Sequence, residues 1–204
     1  MFTGIVTMIG EVTTASDIEK GRLRIACDLP AEDRQIGASI SHSGCCLTLT
    51  HDHGAAGYDV QVSPTTRAIT TLGHWQVGRR MNIEPALRIG DSLGGHLVQG
   101  HVDTVGQLDH RDDDRFWFSI DREHASMVIE RGSITIDGVS LTINEIKDTP
   151  DACVFGVTIV PHTASVTTLA DLRSGELVNI EFDVIGRYLQ RWHELTKIEK
   201  GLGT

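Results

Sequence analysis

No stretch of the sequence approaches the ~20 consecutive apolar residues that a membrane-spanning helix needs. The start, Met1-Phe2-Thr3-Gly4-Ile5-Val6, has neither a basic region nor a long apolar segment, so no signal peptide is expected. Positive charge is scarce. Lys and Arg number 18 against 28 Asp and Glu, a formal net charge of −10, and the longest basic run is Arg79-Arg80. Nucleic acids and anionic membrane surfaces are held by clustered positive charge, so neither is an expected partner. The acidic run Asp112-Asp113-Asp114 reads as a solvated turn. Cysteine is confined to Cys27, Cys45, Cys46 and Cys153, without a Cys-x-x-Cys pair. Neighbours such as Cys45 and Cys46 alternate across a strand and rarely bridge, so reduced thiols in a cytoplasmic protein are expected. Proline is sparse, five residues against 21 glycines, a balance that favours many tight turns in a β-rich chain. Phosphate-binding glycine motifs are missing, and with them the usual nucleotide cofactors. Gly90-Asp91-Ser92-Leu93 spells an esterase signature. It stands mid-chain in a β-rich sequence, whereas that family places its serine near the start of an α/β chain, so it is read as coincidence.

What is present is a globular composition, 40 % hydrophobic and 23 % charged over 204 residues. That excludes a disordered chain and a coiled coil, and it allows a core without disulfide or metal staples. The dominant feature is an internal repeat. The segment from Ser39 to Thr48 matches Ser133 to Thr142 at five of ten positions, 94 residues on. The block from Pro64 to Leu72 matches Pro161 to Leu169 at five of nine, 97 residues on. Asn82-Ile83-Glu84 returns as Asn179-Ile180-Glu181, and Gly4-Ile5-Val6 with Gly10 as Gly100-His101-Val102 with Gly106. The chain therefore divides into two copies, 1–96 and 97–184, with a tail at 185–204 and a junction at Gly94-Gly95.

Within a copy the periodicity is that of strands. Leu23, Ile25, Cys27 and Leu29 alternate with other residues, as do Tyr58, Val60 and Val62, and Phe116, Phe118 and Ile120. Residues 133–136 and 154–160 are rich in β-branched side chains. Ser63-Pro64 predicts a helix start, and 123–131 a further short helix. From Val184 to Glu199, Ile185, Tyr188, Leu189, Trp192 and Leu195 fall at helical spacing. That stripe serves either packing on its own domain or pairing with copies of itself.

Comparing the copies exposes unlike side chains at equivalent positions. Cys46 corresponds to Ser140, Ile5 to His101, Ala86 to Asp183 and Arg67 to Ala164. A thiol thus belongs to one copy, an imidazole and a carboxylate to the other, which by type are a nucleophile, a base and an orienter. Each alone reads equally as a core residue or drift. His96, His101 and Asp103 are metal-ligand types, but zinc sites need three or four convergent ligands at family spacing.

The blocks Gly44-Cys45-Cys46-Leu47-Thr48, 94–103 (GGHLVQGHVD), Asp137-Gly138-Val139-Ser140-Leu141-Thr142 and 161–169, with the opening residues, resemble the riboflavin synthase family over almost the whole chain. The resemblance implies an all-β protein of two six-stranded antiparallel Greek-key barrels and a C-terminal helix holding a homotrimer. It implies transfer of a four-carbon unit between two molecules of 6,7-dimethyl-8-ribityllumazine, with no cofactor and no metal. It also implies lumazine synthase as a further partner. A non-catalytic lumazine-binding protein of the same fold is the alternative.

Carried over by position, Gly4, Ile5 and Val6, Cys46, Leu47 and Thr48, and Gln61, Val62, Ser63, Pro64, Thr65 and Thr66 would line the first pocket. His101, Val102 and Asp103, Ser140, Leu141 and Thr142, and Val160, Pro161, His162, Thr163, Ala164 and Ser165 would line the second. Phe2 and Thr3 would lie near the reacting rings, and Arg131 would reach a neighbouring subunit's ligand. His101 is read as the general base for the acidic 7-methyl group, and Cys46 as assisting addition at C7. Ser39 and Thr142 would hold water or polarise ring atoms, and Asp183 would orient a partner. Arg131 stands where the family often has Lys, and Thr65 where Glu is common.

Overall fold

The computed structural model describes residues 1–14 and 21–199. Twelve strands make two closed barrels. The first comprises β1 (Met8–Thr14), β2 (Arg22–Ala26), β3 (Ser39–His42), β4 (Cys45–Asp52), β5 (Tyr58–Gln61) and β6 (Arg80–Pro85). The second comprises β7 (Thr104–Asp112), β8 (Arg115–Asp121), β9 (Ser133–Ile136), β10 (Val139–Asp148), β11 (Ala152–Thr158) and β12 (Leu177–Phe182). Every pairing is antiparallel, and the neighbour order β1-β2-β5-β4-β3-β6 recurs as β7-β8-β11-β10-β9-β12. Strands β2 and β5 pair across the intervening hairpin, which is the Greek-key connection.

Alternation fills each barrel. Leu23 and Ile25 on β2, Leu49 on β4, Tyr58 and Val60 on β5 and Met81 and Ile83 on β6 are fully buried in the first. Phe118, Phe155, Ile136, Val178 and Ile180 do the same in the second. Each such side chain contributes about 1.5–3 kcal/mol of burial, which is how a chain without disulfides sustains two small cores. All four cysteines are free thiols.

Helix α1 (Pro64–Ile69) follows β5 and α2 (Pro161–Val166) follows β11. Ser63 caps α1, its hydroxyl accepting from the Thr66 amide at 3.0 Å, as the Ser-Pro start predicts. Three expectations shift. Strand β2 ends at Ala26, so Cys27 and Leu29 lie beyond it, ahead of Pro30, whose ring restrains the residue before it. Strand β11 ends at Thr158. The helix expected over 123–131 is a 3-10 helix, Arg122–Met127, after which Val128 is extended and Arg131 is left-handed with φ 62°. Asp113 and Asp114 form the solvated β7–β8 turn.

Helix α3 (Val184–Glu199) occupies the expected span. Its apolar stripe does not pack on either barrel: Tyr188 is 77 % exposed and Trp192 66 %. Residues 200–204 of the expected tail lie outside the described ones. Among the described residues, no helix is long and apolar enough to cross a membrane.

The barrels are joined by exchanged straps. Within the segments 1–7, ahead of β1, and 96–103, ahead of β7, residues 4–6 reach across to the second barrel and residues 100–102 reach across to the first. Val6 is buried in the core of the second barrel and Val102 in that of the first. The straps pair where they cross: the Phe2 amide donates to the Val98 carbonyl at 2.7 Å and the Val98 amide to the Phe2 carbonyl at 3.1 Å. Buried carboxylates hold both. Glu84 accepts from the Thr3 amide at 2.7 Å and the Gly4 amide at 3.0 Å. Glu181 accepts from Gln99 at 2.6 Å and His101 at 2.8 Å.

The repeated Asn-Ile-Glu blocks thus have a structural reason. Asn82 donates to the Asp137 carbonyl and accepts from the Thr168 amide, while Asn179 donates to the Ser43 carbonyl and accepts from Thr71, each at 2.8 Å. The two hairpin turns meet between them. A Cβ on Gly44 would lie 3.0 Å from the Gly138 nitrogen, and one on Gly138 would lie 2.7 Å from the Gly44 nitrogen. Both residues have positive φ, so backbone conformation and close approach each demand glycine.

Candidate active site

The β3–β4 turn places Cys45 and Cys46 on opposite faces. Cys45 is buried in the core, where desolvation raises its thiol well above the ordinary range, and Cys46 is half-buried on the other face. The strap of the second copy lies directly against it: the Cys46 amide donates to the Gly100 carbonyl at 2.8 Å. A Cβ on Gly100 would sit 2.7 Å from that of Cys46, so only glycine permits the contact. The next residue, His101, is exposed. By the repeat, Cys46, Thr48 and Thr66 on the first barrel and His101 on the other copy's strap are the counterparts of residues that line a cavity on the second barrel. Ser39 pairs with Thr48 in register on β3 and β4.

The symmetry-related wall is a cavity of ≈ 410 Å³ on the second barrel, lined by Ser140, Leu141, Thr142, Val160, Thr163 and Ile5. Here the Ser140 amide donates to the Gly4 carbonyl at 2.8 Å, the counterpart of the Cys46–Gly100 contact. Ser133, Asn144, Thr158, Gly94 and Gly95 complete the cavity. Ser133 was legible as the repeat counterpart of Ser39, and Asn144 by alternation from Thr142, whereas Gly94 and Gly95 reach the wall only through the strap.

Strap exchange changes part of the expected grouping. Ile5 lines the cavity of the second barrel, Gly100 beside His101 rests on Cys46 of the first, and Asp103 stays with the second through its bonds to Phe182 and Ile180. Cys46 and His101, assigned by sequence to different copies, are brought near one another, since the Cys46 amide bonds the residue before His101. The second-barrel cavity has Ser140 and Ile5 in the corresponding places.

His96, considered from sequence only as a metal-ligand type, is built into the second wall. Its Nδ1 lies 2.7 Å from Ser140 Oγ and its Nε2 3.1 Å from Thr135 Oγ1. Burial lowers its pKa and so favours the neutral ring, a shift that the charge of Asp183 opposes. A neutral imidazole has one donor and one acceptor, so the ring fixes the direction of the Ser140 hydroxyl at the cavity wall.

Several expected site residues are occupied elsewhere. Phe2 is fully buried at the strap crossing, and the Thr3 hydroxyl donates to Glu84 Oε1 at 2.7 Å. Val6, Leu47, Val62 and Val102 belong to the cores. Asp103 accepts from the Phe182 amide at 2.8 Å and lies 3.4 Å from Arg187. Asp183 accepts from the Ile185 amide at 2.9 Å and so caps α3. The Ser165 hydroxyl donates to the His162 carbonyl within α2 at 2.7 Å. Pro64 and Pro161 open the two short helices, with Thr65, His162 and Ala164 on their first turns. Arg131 is exposed on the β9 side of the second barrel.

Two such barrels, with related but unlike pockets on opposite faces, define a tandem lumazine-binding barrel protein. The lumazine-binding domain model matches residues 3–86 and again 99–183. Riboflavin synthase of Brucella abortus is 37 % identical over 97 % of this chain and its own entire length. That of Photobacterium phosphoreum is 38 % identical over 94 % of this chain and 88 % of its own. The chain belongs to the riboflavin synthase family, whose members are transferases. In fold it is similar to LumP solved with riboflavin, TM-score 0.70 and 24 % identity over 89 % of this chain and 99 % of that one. LumP solved with 6,7-dimethyl-8-(1'-D-ribityl) lumazine gives a TM-score of 0.68 at 22 % identity, over the same shares of each chain.

Proposed function

We propose that the chain dismutates two molecules of 6,7-dimethyl-8-ribityllumazine, yielding riboflavin and 5-amino-6-(D-ribitylamino)uracil. The observation that carries this reading is the unlike chemistry of two related pockets: Cys46 with His101 in one, Ser140 with Ile5 in the other. A transfer between two copies of one substrate needs a donor and an acceptor, hence two similar pockets that treat their contents differently. A protein that only binds has no need of the difference.

In this reading His101 is the general base. Its imidazole takes a proton from the 7-methyl group, and the electron pair left on carbon delocalises into the heterocycle. Cys46 assists addition at C7 of the other molecule, directly or through water. Ser39 beside Thr48, and Thr142 beside Ser140, hold water or polarise ring atoms. Stacking the rings in register supplies much of the rate by removing the entropy of encounter. The first pocket of one subunit meets the second pocket of the next in a homotrimer held through the exposed stripe of α3, and Arg131 reaches the neighbouring ligand.

Incubation of the purified chain with the lumazine tests the reading. One riboflavin per two lumazines consumed is expected. Binding without turnover would instead assign the chain to the non-catalytic binding proteins of this fold. Sedimentation against a chain ending at Asp183 tests the trimer, which is expected to fall to monomer.

A further inference from the structure

The backbone of His101 is gripped at both ends, and its counterpart Ile5 is not. Glu181 Oε2 accepts from the His101 amide at 2.8 Å, and Nη2 of Arg187, on the first turn of α3, lies 3.4 Å from the His101 carbonyl oxygen. The same Nη2 lies 3.4 Å from Glu181 Oε1, and Nε lies 3.4 Å from Asp103 Oδ1. Asp103, two residues beyond His101, is itself fixed by the Phe182 amide at 2.8 Å. One guanidinium thus joins the helix to three points on the strap and its anchor. The fork geometry of Arg suits this, since a single cation must address two carboxylates and the His101 and Phe182 carbonyls at once.

On the first barrel the positive charge that acts on Glu84 is the N-terminal ammonium, not a side-chain guanidinium. The residue 97 positions before Arg187 is Gly90, in a turn, because β6 leads into a loop where β12 leads into α3. The Ile5 amide is satisfied locally by the Thr3 hydroxyl at 3.1 Å. The extra clamp is found on the strap that carries the imidazole and not on the one that carries an alkyl chain.

We propose that Arg187 is a positioning residue for His101, clamping the strap from α3 so that the docked helix sets the reach of the imidazole. The inference rests on the role of His101 as general base. Burial raises the pKa of Glu181 and of Asp103, and the backbone amides that donate to each, followed by the charge of Arg187, oppose that rise.

The test compares the full chain with Arg187→Ala and Arg187→Lys. Turnover with the lumazine, sedimentation, and amide hydrogen exchange at Gln99 and His101 are measured on each. Arg187→Ala is expected to lower kcat at least tenfold with KM within twofold, to speed exchange at His101 at least tenfold, and to leave assembly unchanged. Arg187→Lys is expected to recover a third or more of kcat, since it keeps a charge between the carboxylates. Retention of more than half of kcat by Arg187→Ala, or unchanged exchange at His101, overturns the proposal. So does a kcat loss that tracks a smaller assembly, because the residue would then serve the oligomer alone. If the unsubstituted chain turns over no lumazine, the catalytic reading fails, and the exchange comparison still decides whether the clamp exists.

Discussion

The two barrels share order, register, strap anchors and buried asparagines, yet their pockets differ. The shared features are those that packing requires. Asn82 and Asn179, and Glu84 and Glu181, meet buried backbone groups that would otherwise go unpaired, and such groups cost about 1–3 kcal/mol each when left so, while Gly44 and Gly138 let the two turns approach closely. The copies diverge in part at buried positions, such as Ser43 and Asp137. At Cys46 and Ser140, and at Ile5 and His101, they diverge where the residue is half-buried or exposed, and there packing does not dictate the side chain.

The largest effect should come from erasing that divergence. His101→Ala is expected to lower kcat at least a hundredfold, the usual worth of a general base, while the dissociation constant for the lumazine changes less than threefold. Cys46→Ser, which gives the first pocket the hydroxyl of the second, should lower kcat at least tenfold. Steady-state kinetics with ligand fluorescence separates the two quantities. Full turnover in both variants would remove the assigned roles.

A second comparison concerns the turns. Asp137 occupies the position of Ser43. It is fully buried, with Oδ1 accepting from the Asn179 amide at 2.8 Å. Burial pushes its pKa from 3.8 up to about 7, against the opposing hydrogen bond from Asn179. Because the folded state disfavours the charged form, stability should be greatest below about pH 4, fall as pH rises to about 7, and level off above it. Asp137→Ser, copying the first barrel, should flatten that slope in denaturant titrations across pH 4–7. An unchanged slope would show that Asp137 is not its source.

The smallest effect is at Arg131, which adopts φ 62° where the first barrel has Gly37 at φ 91°. A non-glycine residue there costs about 1 kcal/mol. Arg131→Gly should therefore raise the midpoint of unfolding slightly while lowering turnover, since the guanidinium is proposed to reach a neighbouring ligand. A stabilised variant with undiminished turnover would leave the strain at Arg131 without a catalytic reason.

Much of the fold was legible. The repeat, the period-two runs, the Ser63-Pro64 helix start and the α3 stripe all follow from local spacing, which short-range sterics and burial translate directly into strands and helices. The candidate site was legible as residue types, because unlike side chains at equivalent positions are visible without coordinates. Less legible were residues whose role depends on a distant partner. His96 appears in sequence as one histidine among ten, and only the fold brings it between Ser140 and Thr135. Asp103 and Asp183 look like free carboxylates until the strap and α3 engage them.

By itself the sequence determined that there are two related barrels, that their pockets are chemically unequal, and that the tail is a helix with one apolar face. The tertiary structure decided which residues share a pocket. Proximity along the chain assigns residues 4–6 to the first barrel and 100–102 to the second, but each strap crosses over. The physical reason is packing and hydrogen bonding at long range: Val6 and Val102 are buried in the opposite barrel's core, and the Gly4 and Gly100 carbonyls accept from the Ser140 and Cys46 amides of that barrel. That exchange sets Gly100, next to the second copy's His101, against Cys46 of the first copy, a contact no spacing in the chain records.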